Sequence, residues 1–396
     1  MRNCIFHAEN LALLQTLPDA SIELIYIDPP FNTGNSFEHY DDAMLHEEWL
    51  RMMRERLLRM RRLLRSDGAI FVEIDGRHQA ELKCLLDKVF GRQNHVTTIS
   101  VRRSAPTGHK AINPAPVNVS EFIHVFARDK ARWTYRPLQV PRVGYDKAYN
   151  KVLDARDVPY ERWRWRSLAE VVAEDLGYGS THEARRSLGG EAFAQAKAAF
   201  ALANHERVIR TAQPNYPKVG KAAQAMIQRS KADTSRIFRL ERKAHSDMYF
   251  FRGDRILFLS DKVQQIEGRS CLVEPLTNFW SDVPWQGIAG EGGVRFARSK
   301  KPEKLLQRIL ELSTEPGDWV LDGFLGSGTT AAVAHKLGRR WIGVELGEHA
   351  RTVCLPRLEG VVEGADLTGI SKQLGWAGGG GFLFCVLEEA ADGGVS

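Results

Sequence analysis

The stretch "IELIYIDPPFNTG" (residues 22–34) brings together residue types that suit chemistry at the end of a strand. An apolar, β-branched run leads directly into Asp28, Pro29, Pro30 and Phe31. The prolines remove two backbone donors and fix two φ angles, and the residue before a proline is kept out of the helical region. We therefore predict a strand that ends at Asp28, with a carboxylate, carbonyl groups and an aromatic ring held rigidly beyond its tip. The alternative is a strand-terminating turn whose aspartate caps the next segment.

A second candidate site is the glycine-rich stretch "VLDGFLGSGTT" (residues 320–330) between a predicted strand and a predicted helix. Gly326 and Gly328 permit a tight turn, beyond which the first N–H groups of the helix face a ligand. The stretch lacks the lysine of a phosphate-binding loop and the glycine spacing of a dinucleotide fingerprint. Asp322 ends the strand and Glu345 ends the next one, where related folds bind a ribose hydroxyl. The pattern favours a nucleoside ligand whose cationic amino-acid end is held by Asp322.

Alternating strands and helices are expected to position these residues. The predicted strands before residue 132 are "SIELIYID", "AIFVEID", "HVTTISV" and "SEFIHVFAR", with amphipathic helices between the first three. The pattern resumes with the helix "KPEKLLQRILELS" and the strand "RRWIGVEL". This alternation predicts an α/β fold with a doubly wound, mainly parallel sheet.

The middle third of the chain has no such alternation and interleaves aromatic with basic residues. We therefore predict four regions: one half of the α/β domain at 1–132, an insertion at 133–278, the other half at 279–358, and a tail at 359–396 with one strand. Within the insertion, residues 191–211 are predicted to form one alanine-rich helix.

The composition of the chain limits the classes of function that it could have. The chain has 396 residues, 43% of them hydrophobic and 26% charged, as in globular proteins. Its apolar stretches are too short to span a bilayer and its N-terminus lacks a signal-peptide core, so no membrane association is expected. Five scattered cysteines without metal-ligand spacing predict no metal site, reduced thiols and a cytoplasmic location. Residues 207–243 contain ten Lys or Arg and two acids, which suits phosphate contacts or a solvated basic face.

The paired motifs "DPPF" and "DGFLGSGTT" resemble those of the amino-group DNA methyltransferases, which use S-adenosylmethionine. The order, with the catalytic motif first and the cofactor motif last, is similar to that of the β-class, which includes the modification subunits of type III restriction systems. The resemblance covers residues 1–130 and 279–350. It implies the S-adenosylmethionine-dependent methyltransferase fold, with a target-recognition domain inserted at 133–278.

This resemblance implies a site-specific enzyme that flips an adenine out of duplex DNA and methylates its N6 amine. Asp28 and the Pro29 carbonyl would accept hydrogen bonds from the amine, Pro30 would help to fix their direction, and Phe31 would stack on the base. The residues expected to bind S-adenosylmethionine are Asn10, Lys301, Asp322, Phe324, Gly326, Ser327, Gly328, Thr329 and Glu345.

Two of these cofactor assignments have particular grounds. Asn10 lies in "HAENL", where the family usually has Gly-Asp before the asparagine, so that Glu9 stands near the expected adenine contact. Lys301 in "SKKPEKLL" would pair with the carboxylate of the cofactor; the alternative is a solvent-exposed lysine near a helix start. Phe31 stands where tyrosine is commoner and keeps the stacking face.

Other interpretations stay open. Cytosine N4 is the alternative target, since both amines present the same local chemistry, although an aspartate in the first motif position resembles the adenine enzymes. A non-catalytic DNA-binding module with a degenerate fold is a more distant alternative. The segment 101–116 is interpreted as a loop that closes over DNA, or as a passive linker. Beyond duplex DNA, a homodimer and a separately encoded restriction subunit are left open as partners.

Overall fold

The computed structural model describes residues 2–31, 45–104, 116–142, 144–243, 245–266, 268–296 and 300–387. Most of the expected DNA-closing loop at 101–116 lies outside these residues. The chain divides into two compact units, Met1–Leu138 with Thr277–Ser396, and Gln139–Leu276. The described residues include no helix long and apolar enough to cross a membrane.

The elements follow one another along the chain in three groups. Before the second unit they are β1 (Cys4–His7), α1 (Asn10–Thr16), β2 (Ile22–Ile27), α2 (His46–Leu63), β3 (Leu64–Ile74), α3 (Gln79–Phe90), β4 (His95–Arg102) and β5 (Ser120–Ala127). Those of the second unit are β6 (Gln139–Pro141), β7 (Lys151–Leu153), β8 (Trp165–Ser167), α4 (Leu168–Asp175), α5 (Thr181–Leu188), α6 (Gly190–Ala203), β9 (Val208–Ala212), α7 (Lys221–Ala232), β10 (Phe238–Leu240), β11 (Met248–Phe251), β12 (Asp254–Phe258), β13 (Val263–Ile266) and β14 (Arg269–Pro275). The first unit then continues with β15 (Phe279–Trp280), α8 (Glu303–Ser313), β16 (Trp319–Asp322), α9 (Thr329–Lys336), β17 (Arg340–Glu345), α10 (Leu355–Val362), α11 (Ser371–Leu374) and β18 (Leu383–Val386).

A nine-stranded sheet forms the centre of the first unit, in the order β15-β4-β5-β3-β2-β16-β17-β1-β18. Among its described strands only β5 runs antiparallel to its neighbours, β3 and β4. The central strands are buried along nearly their whole length, as expected for parallel strands covered on both faces. The predicted α/β fold with a mainly parallel sheet is confirmed.

The pairing of β2 with β16 joins the two halves of the first unit. Leu24 lies opposite Val320 and Ile25 opposite Leu321, in parallel register. Because parallel strands end at the same edge of a sheet, Asp28 beyond β2 and Asp322 at the end of β16 lie on one edge. The two motifs that are far apart in the sequence therefore share one side of the fold.

Helix α2 covers the sheet beneath the first motif. Its apolar residues recur at helical spacing, and Trp49, Met53, Leu57, Met60 and Leu63 are all fully buried in the core beside β2 and β3. The side chain of Trp49 is thereby fixed beside the end of β2.

The second unit is built differently, from two antiparallel sheets and helices α4–α7. A six-stranded sheet has the order β10-β11-β12-β9-β7-β8, and a three-stranded sheet the order β13-β14-β6. The single helix predicted over residues 191–211 is wrong in its last part, since α6 ends at Ala203 and β9 begins at Val208. The β-branched residues of β9 lie between β12 and β7, where pairing in the sheet overrides the helical continuation.

Four buried charged residues connect α8, α9 and α10 in the first unit. Glu303 lies 2.8 Å from Lys336 and 2.9 Å from Arg357, and Lys336 also lies 2.6 Å from Asp366. All four side chains are almost completely buried. This network anchors the start of α8, directly after Lys301 in the chain.

We predict that Lys336→Met destabilises the protein strongly, because it leaves the buried carboxylates of Glu303 and Asp366 without their shared cation. The expected loss is about 3–5 kcal/mol of unfolding free energy, measured by urea denaturation. Lys372→Met, at an exposed position of α11, is the control and should change stability by less than about 0.5 kcal/mol. Equal stability of the two variants would contradict the structural role of the network.

Candidate active site

Asp28 is held at the edge of the sheet by the rigid segment that follows β2. The indole Nε1 of Trp49 donates a hydrogen bond to the carbonyl oxygen of Pro30 (2.7 Å), which anchors the two prolines to α2. The side chain of Asp28 is only 19% exposed, and its Oδ1 lies 3.1 Å from Lys301 Nζ. Within the described residues no group donates a directed hydrogen bond to this oxygen. Burial raises the pKa of Asp28 to about 6, against the opposing effect of the Lys301 ammonium.

Lys301 lies among carboxylates on the segment before α8. Besides Asp28, its Nζ lies 2.9 Å from Glu73 Oε1 and 3.3 Å from Glu121 Oε2. The residue is 7% exposed, so the alternative of a solvent-exposed lysine is wrong. Its assignment to the cofactor stays a prediction, and the structure places its ammonium group beside the first motif.

Sequence reasoning missed Glu73 and Glu121, which come from β3 and β5. Glu73 Oε2 accepts a hydrogen bond from Tyr26 Oη (2.5 Å), and Glu121 forms an ion pair with Arg103. Glu73 interrupts the apolar run "AIFVEI" and Glu121 opens "SEFIHVFAR", so a signal was present. A charged residue in a strand buried on both faces requires a partner, which only the sheet order identifies.

Two aromatic rings flank the Lys301 ammonium. The ring centroid of Phe31 lies 5.2 Å from Nζ and that of Trp285 lies 5.6 Å from it. Trp285 was not singled out from the sequence, and it also lies within 5.9 Å of the guanidinium carbon of Arg103. A carboxylate, a cation and two aromatic rings therefore lie together beside the first motif.

The glycine-rich turn adopts a conformation that requires glycine. Gly326 and Gly328 have φ of +56° and +80°, in the left-handed region that other residues seldom adopt. A Cβ on Gly328 would lie 3.2 Å from Leu358 Cδ2 and 3.5 Å from Cys354 Cα. Leu325 N donates to the carbonyl of Val344 (3.0 Å) and so holds the turn against β17.

The two acids at this edge are hydrogen-bonded to the turn itself. Asp322 Oδ1 accepts from Phe324 N (2.9 Å) and Oδ2 from the Thr330 hydroxyl (2.6 Å). Burial raises the pKa of Asp322 to about 7, against these two hydrogen bonds. Glu345 Oε2 accepts from Gly326 N (2.7 Å), and its Oε1 accepts from Gly347 N (3.0 Å). Their contacts with a cofactor stay predictions.

Ser327 and Thr329 lie on the inner side of the turn and are 5% and 4% exposed. Their hydroxyl oxygens lie 3.1 Å apart, and the buried Arg357 donates to Thr329 Oγ1 (2.7 Å) and to the Ser327 carbonyl (3.2 Å). Thr329 Oγ1 also donates to the Lys301 carbonyl (3.3 Å), which joins the turn to the segment bearing this lysine.

Asn10 connects the start of the chain to the same turn. Its Nδ2 donates to the Gly323 carbonyl (2.7 Å), and Arg56 Nε donates to its Oδ1 (2.6 Å). Glu9 caps α1 by accepting from Ala12 N (2.8 Å) and forms an ion pair with Arg56. The structure thus brings Asn10 to the predicted cofactor motif. In the part of the chain that the structure describes, no cluster of three or more potential ligand residues could hold a metal ion.

A pH-dependent stability follows from Glu73. Burial raises its pKa to about 8, opposed by Lys301 and reinforced by Asp28 and Glu121. The stability that its protonated form contributes is complete below pH 4.5 and is lost as the pH rises through about 8. We predict that Glu73→Gln, measured by urea denaturation, gains at least ~1 kcal/mol relative to the wild type between pH 5 and pH 9.

The matched control for this measurement is Glu359→Gln, at an exposed position of α10. Its stability relative to the wild type should be the same at both pH values. A Glu73→Gln variant that behaves in the same way would show that Glu73 titrates as an ordinary carboxyl group.

The chain is similar to known proteins along most of its length. Residues 22–354 match the N6/N4 family described as DNA methylase. The chain is 31% identical to the probable type III restriction-modification enzyme HindVI Mod subunit of Haemophilus influenzae, over 97% of this chain and 54% of that protein. It is 28% identical to the type II methyltransferase M.EcaI of Enterobacter cloacae, over 86% of this chain and 66% of that protein. The chain therefore spans about half the length of the HindVI subunit.

Among solved structures, one similar chain is TTHA0409 of Thermus thermophilus in complex with S-adenosyl-L-methionine, a putative DNA modification methylase. It is 14% identical, with a TM-score of 0.43 over 98% of this chain and 100% of that one. The family match covers most of the chain and includes both motifs of the site. This protein belongs to the N6/N4 DNA methylase family.

Proposed function

We propose that this chain methylates the N6 amine of adenine at a specific sequence in duplex DNA, with S-adenosylmethionine as the methyl donor. The observation that carries the proposal is the Asp28 carboxylate, which is fixed at the sheet edge with Oδ1 free of directed donors in the described residues. An oxygen of this kind is ready to accept a hydrogen bond from an incoming amine. The aspartate in the first motif position supports adenine over cytosine.

The residues of the first motif have distinct roles in the proposed reaction. Asp28 and the carbonyl of Pro29 accept hydrogen bonds from the two N–H groups of the amine, which directs the nitrogen lone pair out of the plane of the base. Phe31 stacks on the ring of the flipped base, and Trp49 keeps the prolines in position through Pro30. This is stabilisation by groups that are oriented before the reaction begins.

The residues of the second motif suit S-adenosylmethionine. Gly326 and Gly328 permit the tight turn, and both oxygens of Asp322 and Oε2 of Glu345 can each accept a second hydrogen bond from a hydroxyl or ammonium group. Asn10, Phe324, Ser327 and Thr329 complete the proposed set. When bound, the cofactor supplies an electrophilic methyl group on a sulfonium centre. The amine nitrogen would form its bond to the methyl carbon as the carbon–sulfur bond breaks and its electron pair passes to sulfur, and the Asp28 carboxylate would accept the proton that the nitrogen loses.

The second unit supports duplex DNA as the substrate. Helix α7 presents Lys221, Arg229 and Lys231 to solvent, next to the exposed Lys218. Clustered exposed cations of this kind attract the phosphate backbone. We propose that the second unit is the target-recognition domain and that α7 contacts phosphates.

The proposed partners follow from the relatives. The HindVI relative is named as a Mod subunit of a type III restriction-modification enzyme. We propose on this ground that the chain works in the cytoplasm within a restriction-modification system, with a separately encoded restriction subunit, and that a second copy of the chain completes the methyltransferase.

We predict that the protein transfers tritiated methyl groups from S-adenosylmethionine to duplex DNA and that nucleoside analysis finds N6-methyldeoxyadenosine. Asp28→Ala should abolish transfer, because the amine loses its fixed acceptor, while cofactor affinity changes little. Asp129→Asn, at an exposed position after β5, is the control and should keep full activity. N4-methylcytosine as the product would overturn the adenine assignment, and transfer to no nucleic acid would overturn the proposed function.

We also predict that Lys221→Ala and Arg229→Ala weaken binding to all duplexes by a similar factor, measured by fluorescence anisotropy. Each should reduce the slope of log affinity against log salt concentration by about 1, because one phosphate contact is lost. Lys88→Ala, exposed on α3 in the first unit, should leave the slope unchanged. An unchanged slope in the α7 variants would show that this helix does not contact DNA phosphates.

A further inference from the structure

The position of Lys301 differs from that of an ordinary ligand-binding lysine. Its ammonium group lies between three acids from three strands of one sheet: Asp28 after β2 at 3.1 Å, Glu73 of β3 at 2.9 Å and Glu121 of β5 at 3.3 Å. An ammonium group has three protons to donate. Its directed hydrogen bonds go to Glu73 and Glu121, and Asp28 lies within ion-pair distance, so the carboxylate of a cofactor would be a fourth acid around one cation.

The three acids around Lys301 differ in their charge and in whether they have a second cation nearby. Glu121 has a second cation, Arg103, and although burial acts to raise its pKa, Lys301 and Arg103 together hold the pKa of Glu121 below its usual value. Burial raises the pKa of Glu73 to about 8, so that Glu73 is largely protonated near neutral pH. Asp28 is then the acid for which Lys301 is the principal counter-ion.

The surroundings keep Lys301 in this place. Glu73 is itself held by the hydroxyl of Tyr26 at 2.5 Å, and the rings of Phe31 and Trp285 flank the ammonium group. The aromatic faces attract a cation and cover it from water. Burial opposes the charged form, yet the neighbouring acids, Asp28 and Glu121 foremost, raise the pKa of Lys301, so that the lysine stays charged.

We propose that Lys301 is a positioning residue for Asp28, which keeps this carboxylate ionised and aimed at the amine, while Glu73 and Glu121 hold the lysine in place. The inference rests on the proposed function and deepens it, since it gives Lys301 a role in the transfer step in place of a contact with the cofactor. The chain supplies its own buried cation to offset the cost of a charged acid in a largely buried position.

The pH dependence of methyl transfer tests the proposal, because several titratable or charged groups lie near Asp28. They are Lys301 before α8, Glu73 of β3, Glu121 of β5, Arg103 after β4, Tyr26 of β2 and Asp322 of β16. Removal of the cation by Lys301→Met should favour the neutral form of Asp28. The acid limb of the single-turnover rate should move up by at least about one pH unit, so that the rate near pH 6 falls at least about fivefold.

Two further variants distinguish a specific effect of Lys301→Met on the pH profile from a loss of folding. Lys301→Arg keeps the charge and should recover most of the lost rate and the original acid limb. Glu73→Gln keeps the lysine and replaces an acid whose raised pKa of about 8 leaves it uncharged at this limb, so its acid limb should stay where it is in the wild type. A raised acid limb in Lys301→Met with an unchanged limb in Glu73→Gln supports the proposal, whereas an unshifted limb in Lys301→Met would overturn it.

Affinity for S-adenosylmethionine separates positioning from cofactor binding. By isothermal titration calorimetry without DNA, Lys301→Met should keep the wild-type Kd within about threefold, a difference of less than 1 kcal/mol. A Kd raised tenfold or more, together with an unchanged pH profile, would show that Lys301 is a cofactor ligand and would overturn the proposal.

A stability measurement keeps this inference distinct from the proposed function. In urea denaturation without ligands, Asp28→Asn should restore stability lost in Lys301→Met, because the carboxylate left without its cation is removed. If the wild-type protein methylates no DNA, the proposed function fails, and this pair of variants still decides whether Lys301 holds Asp28. Additive effects of the two substitutions would overturn the pairing.

Discussion

The parallel pairing of β2 with β16 is the interaction on which the rest of the first unit depends. It joins strands from opposite ends of the sequence in the middle of a nine-stranded sheet. Through it the carboxyl end of the first motif and the carboxyl end of the second lie side by side. In open α/β sheets ligands bind at the carboxyl ends of the strands, where the strand order reverses. Without this pairing, Asp28 and the glycine-rich turn would be two separate features.

The fold of the first unit could be predicted largely from the sequence, because its elements are locally encoded. The predicted strand before Asp28 and the helix from residue 303 are present as β2 and α8. The structure of the second unit was harder to predict from the sequence, as β9 shows. Its residues continue an alanine-rich helical pattern, and their state is decided by β7 and β12, which come from other parts of the chain. Long-range pairing is the information that periodicity does not contain.

The candidate site shows the same division. Asp28 and Gly328 could be predicted as site residues because each lies in a short, contiguous sequence motif. Glu73, Glu121 and Trp285 could not, since their meaning depends on which strands are neighbours and on what lies across the sheet edge. Acids within apolar strands are a recognisable signal, but only the folded sheet supplies the cation that they share. Lys301, expected beside the cofactor, is engaged by these same acids.

The position of β1 has a consequence for how the protein is made. This first strand of the chain pairs on one side with β17 and on the other with β18. During synthesis β1, and the edge of β2 that faces away from β3, therefore leave the ribosome long before β16, β17 and β18, while the whole second unit is still to be translated. Their apolar edges stay unpaired until the later strands have been translated, and exposed strand edges are prone to aggregate in such an interval. The centre of the sheet is thus completed only after the second unit has been translated.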